Sequence, residues 1–479
     1  MRRRRTIYFN DARHYYLFVF EPPMRLEDAW VPIDEVAGTA VDTFIYGVSR
    51  GDGLFYPSRI GRRFGEDMQP FKEGFYWRVW HNMQSLMDQG LDPLQVLIDR
   101  AHQKNMEFFA SLRMGGFEGL DPKYTLAKGG RGYVHPEVRD HQFAVLEELA
   151  TRYTVEGVEL DFAAAPGGSP FWLHPEDAPE HTATMTQFVR RVAQMARNRG
   201  KQVGARVYPT EELNLKTGLD VRAWLQEGLV DYVVPMVYFY FILDANMPIA
   251  WLVEAAHARE IAVYPMLQPY RHDDSRPFYP RANATPAMMR AAAANFWRLD
   301  ADGLYSWFMS WPLGEAERST LTELGDADLL REGEKHYFLC RRPKEAEQIY
   351  PMPLPVEIPA ADPARRCPIR FAIADEPGRA SGVCLRLGIS NLVSADQLEV
   401  RLNGLPLAGE RCCRAPLRQV DPYAGQWLEF HLERVRPRQG ENLLEIALQQ
   451  RPAGLTGGIA VEDVEILVEY SIYPAGLAC

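Results

Sequence analysis

Eight short apolar runs alternate with longer helical patterns through the first two-thirds of the chain. This alternation restricts the fold more than any other feature. The runs cover 15–20, 43–49, 107–113, 157–162, 202–208, 232–238, 262–268 and 303–309. Most are rich in β-branched or aromatic residues, as parallel strands buried on both faces tend to be. Helix start signals fall between them. Asp92-Pro93 sets an N-cap before a proline in the first turn, His135-Pro136-Glu137 opens a pattern running to about Tyr153, and Thr285-Pro286 opens another. Eight such units predict an α/β fold, a closed (β/α)8 TIM barrel over residues 1–335. A doubly wound sheet is the alternative, but it seldom needs eight units, and no Gly-rich phosphate loop is present.

The composition then changes. Pro343, Pro351, Pro353, Pro355, Pro359 and Pro363 mark residues 336–366 as a linker or strap. Beyond it the apolar pattern approaches period two, at 369–374, 382–389, 397–402, 426–432, 442–448 and 460–471, with turn signals at Asn403-Gly404 and Gln439-Gly440. Residues 367–479 therefore read as an antiparallel β-sandwich, jelly-roll-like and similar in kind to a carbohydrate-binding module.

A net charge of -11 disfavours nucleic acid or an anionic membrane as partner, since both call for a basic face. Met1-Arg2-Arg3-Arg4-Arg5 resembles the basic start of a signal peptide, but Ile7-Tyr8-Phe9 is too short for the apolar core that must follow. No stretch approaches the ~18 apolar residues of a membrane span. A cytoplasmic protein is the expectation, and a homo-oligomer is compatible with it. The six cysteines all lie in the last third and show no metal-type spacing, so neither a metal nor a cofactor is expected.

Chemistry in a barrel gathers at the C-terminal ends of its strands. The fourth run ends Val158-Glu159-Leu160-Asp161-Phe162 and breaks into Ala163-Ala164-Ala165-Pro166-Gly167-Gly168. Asp161 should therefore reach the mouth, with Glu159 pointing inward one layer deeper. The same parity turns Ser111 and Arg113 inward from the third run, and Gly204, Arg206 and Tyr208 from the fifth. Buried charges need partners, so Arg113 and Arg206 are expected beside Glu159 and Asp161. A satisfied Glu159–Arg206 pair would be purely structural. Glycosidic cleavage calls for a second carboxylate, or a substrate group in its place. Glu21, Asp52, Glu159, Asp244, Asp273 and Asp274 are the candidates, with Asp273 and Glu21 kept beside Glu159. Tyr46, Tyr208, Tyr238, Tyr240, Gln268, Tyr270, Trp307 and Trp311 could stack on sugar rings or bond their hydroxyls. The segment 50–81, after the second run, is long and strongly aromatic, as functional loops can be.

Two stretches carry a family likeness. The first is Tyr133-Val134-His135-Pro136-Glu137-Val138-Arg139, followed after its helix by Tyr153-Thr154-Val155-Glu156-Gly157-Val158-Glu159-Leu160-Asp161-Phe162. The second joins Gly218-Leu219-Asp220-Val221-Arg222-Ala223-Trp224 to Gly228-Leu229-Val230-Asp231-Tyr232-Val233-Val234-Pro235-Met236-Val237-Tyr238. Together they resemble the glycosyl-hydrolase-like proteins related to family-ten glycosidases. The resemblance implies a glycosidase barrel, an acid at Asp161, an aromatic position at Tyr238 and a carbohydrate substrate. The run from Arg436 to Ile446 resembles the galactose-binding-like jelly rolls appended to many glycosidases. A non-catalytic carbohydrate-binding protein, and a lyase or transferase on uronic-acid glycans, are the competing readings.

Overall fold

The computed structural model describes residues 3–471 apart from 12–15, 51–52, 117–118, 127–131, 163–171, 175, 237–240, 274–280, 310–311, 342–351, 361, 363–364 and 419–420. Eight parallel strands form the first unit: β1 Arg5–Asp11, β2 Thr43–Gly47, β3 Glu107–Arg113, β4 Gly157–Asp161, β5 Gln202–Val207, β6 Tyr232–Pro235, β7 as Ala262–Val263 plus Met266–Leu267, and β8 Gly303–Ser306. Each pairs with the next, and β1 pairs with both β2 and β8. The ring closes through the interrupted β7. Its first half bonds β6, with Tyr264 N donating to Val233 O at 3.0 Å, and its second half bonds β8, with Trp307 N donating to Leu267 O at 3.0 Å. Pro265 sits at the break, where a residue without an N–H does least harm to the ladder.

One expected strand is displaced. Residues 15–20 are not the first strand, because Tyr16–Val19 forms a one-turn helix whose Leu17 and Phe18 are buried. The first strand is Arg5–Asp11, buried along its whole length. A short apolar run fits a buried helix as well as a strand. The Arg cluster before Ile7 hid the true strand, yet its last member is interior. Arg5 is 3% exposed at the N-terminal end of the barrel. It pairs with Glu107 at 2.9 Å, donates to Gln202 at 2.9 Å, and lies over the ring of Phe109.

Alternation divides each strand between two cores. Ile7, Phe9, Ile45, Phe109, Val234 and Tyr305 fill the barrel interior. Tyr8, Phe44, Phe108, Val158 and Leu160 face the helices. The helix starts read from the sequence are present: the Asp92 carboxylate accepts from Leu94 N at 3.0 Å, and Thr285 Oγ1 accepts from Met288 N at 3.2 Å.

The second unit stacks two antiparallel sheets around its own core. Cys367–Ile373, Gly440–Gln450, Gln397–Leu402 and Leu405–Pro406 form one sheet. Ile459–Glu469, Gly382–Ser390, Gly425–His431 and Arg411–Pro416 form the main part of the other. Lys335–Phe338 and Val356–Ile358 also pair with Ile459–Glu469, so the Pro-rich stretch and its approach supply two sandwich strands. Asn295 Nδ2 bridges the units, donating to Ala245 O at 2.9 Å and Ala372 O at 3.0 Å. Among the described residues, no helix is long and apolar enough to cross a membrane, and no cluster of His, Cys, Asp and Glu could hold a metal.

Candidate active site

At the C-terminal end of the barrel, β1, β3, β4 and β5 bring five charged side chains together. In register, Arg113 lies opposite Asp161, and Asp161 opposite Arg206. Arg206 is fully buried. Its Nε donates to Glu159 at 2.8 Å, Nη1 to Asp161 at 3.2 Å and Nη2 to the Tyr305 hydroxyl. Its guanidinium carbon lies 3.9 Å from the centre of the Phe9 ring and 4.9 Å from that of Trp307. Arg113 Nη2 donates to Asp11 at 2.8 Å, while its Nε stands 4.0 Å from Asp161. The order Asp11, Arg113, Asp161, Arg206, Glu159 alternates in sign, as buried charges must to offset desolvation.

Glu159 belongs to the deepest layer. It accepts from Ser111 at 2.7 Å, Tyr305 at 3.1 Å and Tyr232 at 3.3 Å in addition to Arg206. Burial pushes its carboxyl up, and the Arg206 charge and the Ser111 bond pull it partly back. Burial alone would lower the Arg206 guanidinium, but Asp161 and Glu159 outweigh it and hold it above its usual value. The expected structural pair therefore forms, and four strands lock Glu159 in place. Asp161 is the higher carboxylate and is 1% exposed. The buried Tyr208 phenol is raised by burial and then by the charge of Asp161, and its hydroxyl has no hydrogen-bond partner among the described residues.

The other expected residues divide. Trp307 is buried between Phe9 and Phe241, with both ring centres 4.7 Å away. Gln268 is buried directly after β7. Tyr270 opens the ribbon of Tyr270–His272 against Arg281–Asn283, under the Arg281 guanidinium at 4.2 Å. Asp273 follows that ribbon, half-buried and beyond the barrel strands. Tyr46 does not face the mouth: on β2 it has the parity of Phe44, and it packs against Phe108 in the layer under the helices. Glu21 does not end a strand. It follows the short helix, is exposed, and pairs with Arg78 at 2.5 Å. Asp244 is buried near Cys340, where it accepts from Asn246 N at 2.8 Å. Tyr238, Tyr240, Trp311, Asp52 and Asp274 lie outside the described residues.

Sequence reasoning missed Asp11. With the first strand placed at 15–20, Asp11 fell outside every expected strand, whereas it ends β1 and is fully buried. Tyr232 and Tyr305 were readable from strand parity. Phe241 was not, because it lies beyond the strand and takes a left-handed φ of 59°, which few aromatic residues adopt.

No family model matches the chain. It is 22% identical over 257 residues to the glycosyl hydrolase YngK of Bacillus subtilis (strain 168), which covers 43% of this chain and 48% of that protein. It is 21% identical over 275 residues to the glycosyl hydrolase DigH of Escherichia coli (strain K12), covering 44% and 58%. The chain thus spans about half the length of the curated relatives it matches. Among solved structures it is similar to the glycoside hydrolase domain of PgaB (BpsB) from Bordetella bronchiseptica. The identity is 14%, with 67% of this chain and 98% of that chain covered, at a TM-score of 0.41. These likenesses are to carbohydrate-active proteins.

Proposed function

We propose that the protein is a glycoside hydrolase that acts on an oligo- or polysaccharide at the C-terminal mouth of its barrel. The observation that carries this reading is Asp161, at the end of β4, on a floor that also holds Arg113, Arg206 and Tyr208. An oxocarbenium-like transition state develops positive charge, and a carboxylate fixed beneath it is a stabiliser that needs no reorganisation. Asp161 serves as acid/base or as that stabiliser. Glu159 is a framework group, Trp307 and Tyr270 line the site, and Gln268 offers an amide to hydroxyls. The likeness to YngK and DigH supports the substrate class. The C-terminal sandwich would act as an accessory carbohydrate-binding module.

The second reading is non-catalytic sugar binding. It draws on the fact that an arginine holds each of Asp11, Glu159 and Asp161. A glycan panel decides between the two. Release of reducing ends marks a hydrolase, and binding without turnover marks a binder. An unsaturated product absorbing in the ultraviolet would instead mark a lyase.

A further inference from the structure

Both sheets of the sandwich end on one short stretch of the barrel. Lys335–Phe338 is an outer strand of one sheet, and Cys367–Ile373 is an outer strand of the other. Outer strands carry backbone groups that no neighbouring strand satisfies. Here two barrel asparagines take them up. Asn246 Oδ1 accepts from Ala372 N at 3.0 Å, and its Nδ2 reaches Phe338 O at 3.5 Å. Asn295 Nδ2 holds the other side of the same sandwich residue, Ala372 O at 3.0 Å, and ties it to Ala245 O at 2.9 Å. The Cys340 thiol, just past Lys335–Phe338, lies against Leu243 O at 3.1 Å and beside the Asp244 carboxylate. Leu243, Ala245 and Asn246 are thus all held from the sandwich side.

The barrel mouth holds the same stretch from its other side. Leu243 N donates to Tyr270 O at 2.7 Å, and Tyr270 N donates to Phe241 O at 3.2 Å. Tyr270 opens the ribbon beyond β7, and Phe241 packs on Trp307 with ring centres 4.7 Å apart. The Trp307 ring lies 4.9 Å from the guanidinium of Arg206, which fixes Asp161. Leu243 is the joint between the two sides. Its C=O faces the sandwich and its N–H faces the ribbon. No helix runs through 241–247, so these bonds and the burial of Leu243, Ala245 and Met247 decide where it stands.

We propose that the sandwich is a brace for the barrel mouth and that Asn246 is the positioning residue through which it acts. By fixing 241–247 it sets where the Tyr270 ribbon and the Trp307 wall stand. The braced wall counts as part of an active site only on the hydrolase reading above. The coupling between sandwich and ribbon does not depend on that reading. Segments at the rim of a fold are drawn from its least stable parts. A site whose walls shift by a fraction of an ångström loses binding and rate. A second unit locked behind the wall stiffens it without placing any group in the site, which is a different role from capturing sugar.

Hydrogen exchange on the full chain, read by mass spectrometry, tests the brace without any substrate. In Asn246→Ala the amides of 241–247 and of Tyr270–His272 should exchange on the order of tenfold faster, while β2, β3 and β4 keep their rates. An asparagine that only fastened the sandwich would quicken Ala372 and its neighbours alone. That result, with Tyr270–His272 within about twofold of the wild type, overturns the brace. If Asn246→Ala fails to fold, Cys340→Ala, which removes only a thiol, is read in the same way. The second readout is kinetic, on any glycoside that the wild type cleaves. Asn246→Ala should raise KM on the order of tenfold and leave kcat within about threefold, because Asp161 and Arg206 keep their bonds. A loosened ribbon with an unmoved KM overturns the positioning role. A loosened ribbon with no glycoside cleaved by the wild type keeps the brace and removes the hydrolase reading. Cleavage with an unmoved ribbon does the reverse.

Discussion

Glu159 and Asp161 sit two residues apart on one strand, yet their surroundings assign them different work. Glu159 accepts from four side chains, whereas Asp161 is the upper carboxylate at the mouth. Asp161→Asn should cost on the order of 10²–10⁴ in turnover while the protein still folds, with a lower melting temperature because the buried Arg206 loses one of its two carboxylate partners. Wild-type rates in that variant would remove Asp161 from the chemistry. Arg206→Met should act on stability still more strongly. It leaves Glu159 buried and uncompensated, and should lower stability by about 3–5 kcal/mol in urea unfolding. A pH effect arises elsewhere, at His141 on the helix Pro136–Arg152, where burial lowers the imidazole below its usual value. The unfolded chain then takes up this proton before the folded one. His141 therefore costs nothing above pH ~6.5 and draws stability down as pH falls below it. Melting curves at pH about 7.5 and about 5.5 should show a smaller loss in His141→Gln than in the wild type.

Strand parity was the part of the site most legible in the chain. Once β4 was recognised, Glu159, Asp161, Arg113 and Arg206 all followed, because side chains alternate across a strand without exception unless a bulge intervenes. The first strand was not legible. Thr6-Ile7-Tyr8-Phe9 is short and lies between arginines and an Asn-Asp pair, and only the closed ring shows that Arg5 and Asp11 are satisfied inside it. The same misplacement put Glu21 at a strand end and left Asp11 out. Tyr46 failed for another reason: lying near the mouth does not say which face of the strand a ring occupies. Close packing between neighbouring elements can also be tested. A Cβ added to Gly204 on β5 would collide with the ring of Tyr232 on β6, which donates to Glu159. Gly204→Ala should therefore cost about 1–3 kcal/mol, measurable by denaturant unfolding. A neutral substitution there would mean that β5 and β6 are less tightly packed than described.

At the scale of the whole chain, the sandwich carries a buried ion pair of its own, apart from the charges in the barrel. The Lys335 ammonium is buried and bonded to Asp375 at 2.9 Å, and Tyr337 and Tyr470 donate to the same carboxylate. Burial lowers the Lys335 ammonium, and Asp375 works against that. Asp375→Ala should strand a charge and cost about 3–5 kcal/mol, seen as an earlier thermal transition or as one that splits in two. The other end of the barrel carries a different implication. Arg5, clasped by Glu107 and Gln202, plugs the bottom of the ring, and Ile7, Phe9, Ile45, Phe109 and Tyr305 fill it above, so the barrel is solid and not a pipe. No molecule passes through its middle. Anything that meets this barrel does so on the rim, where a loop can change without disturbing the staves below.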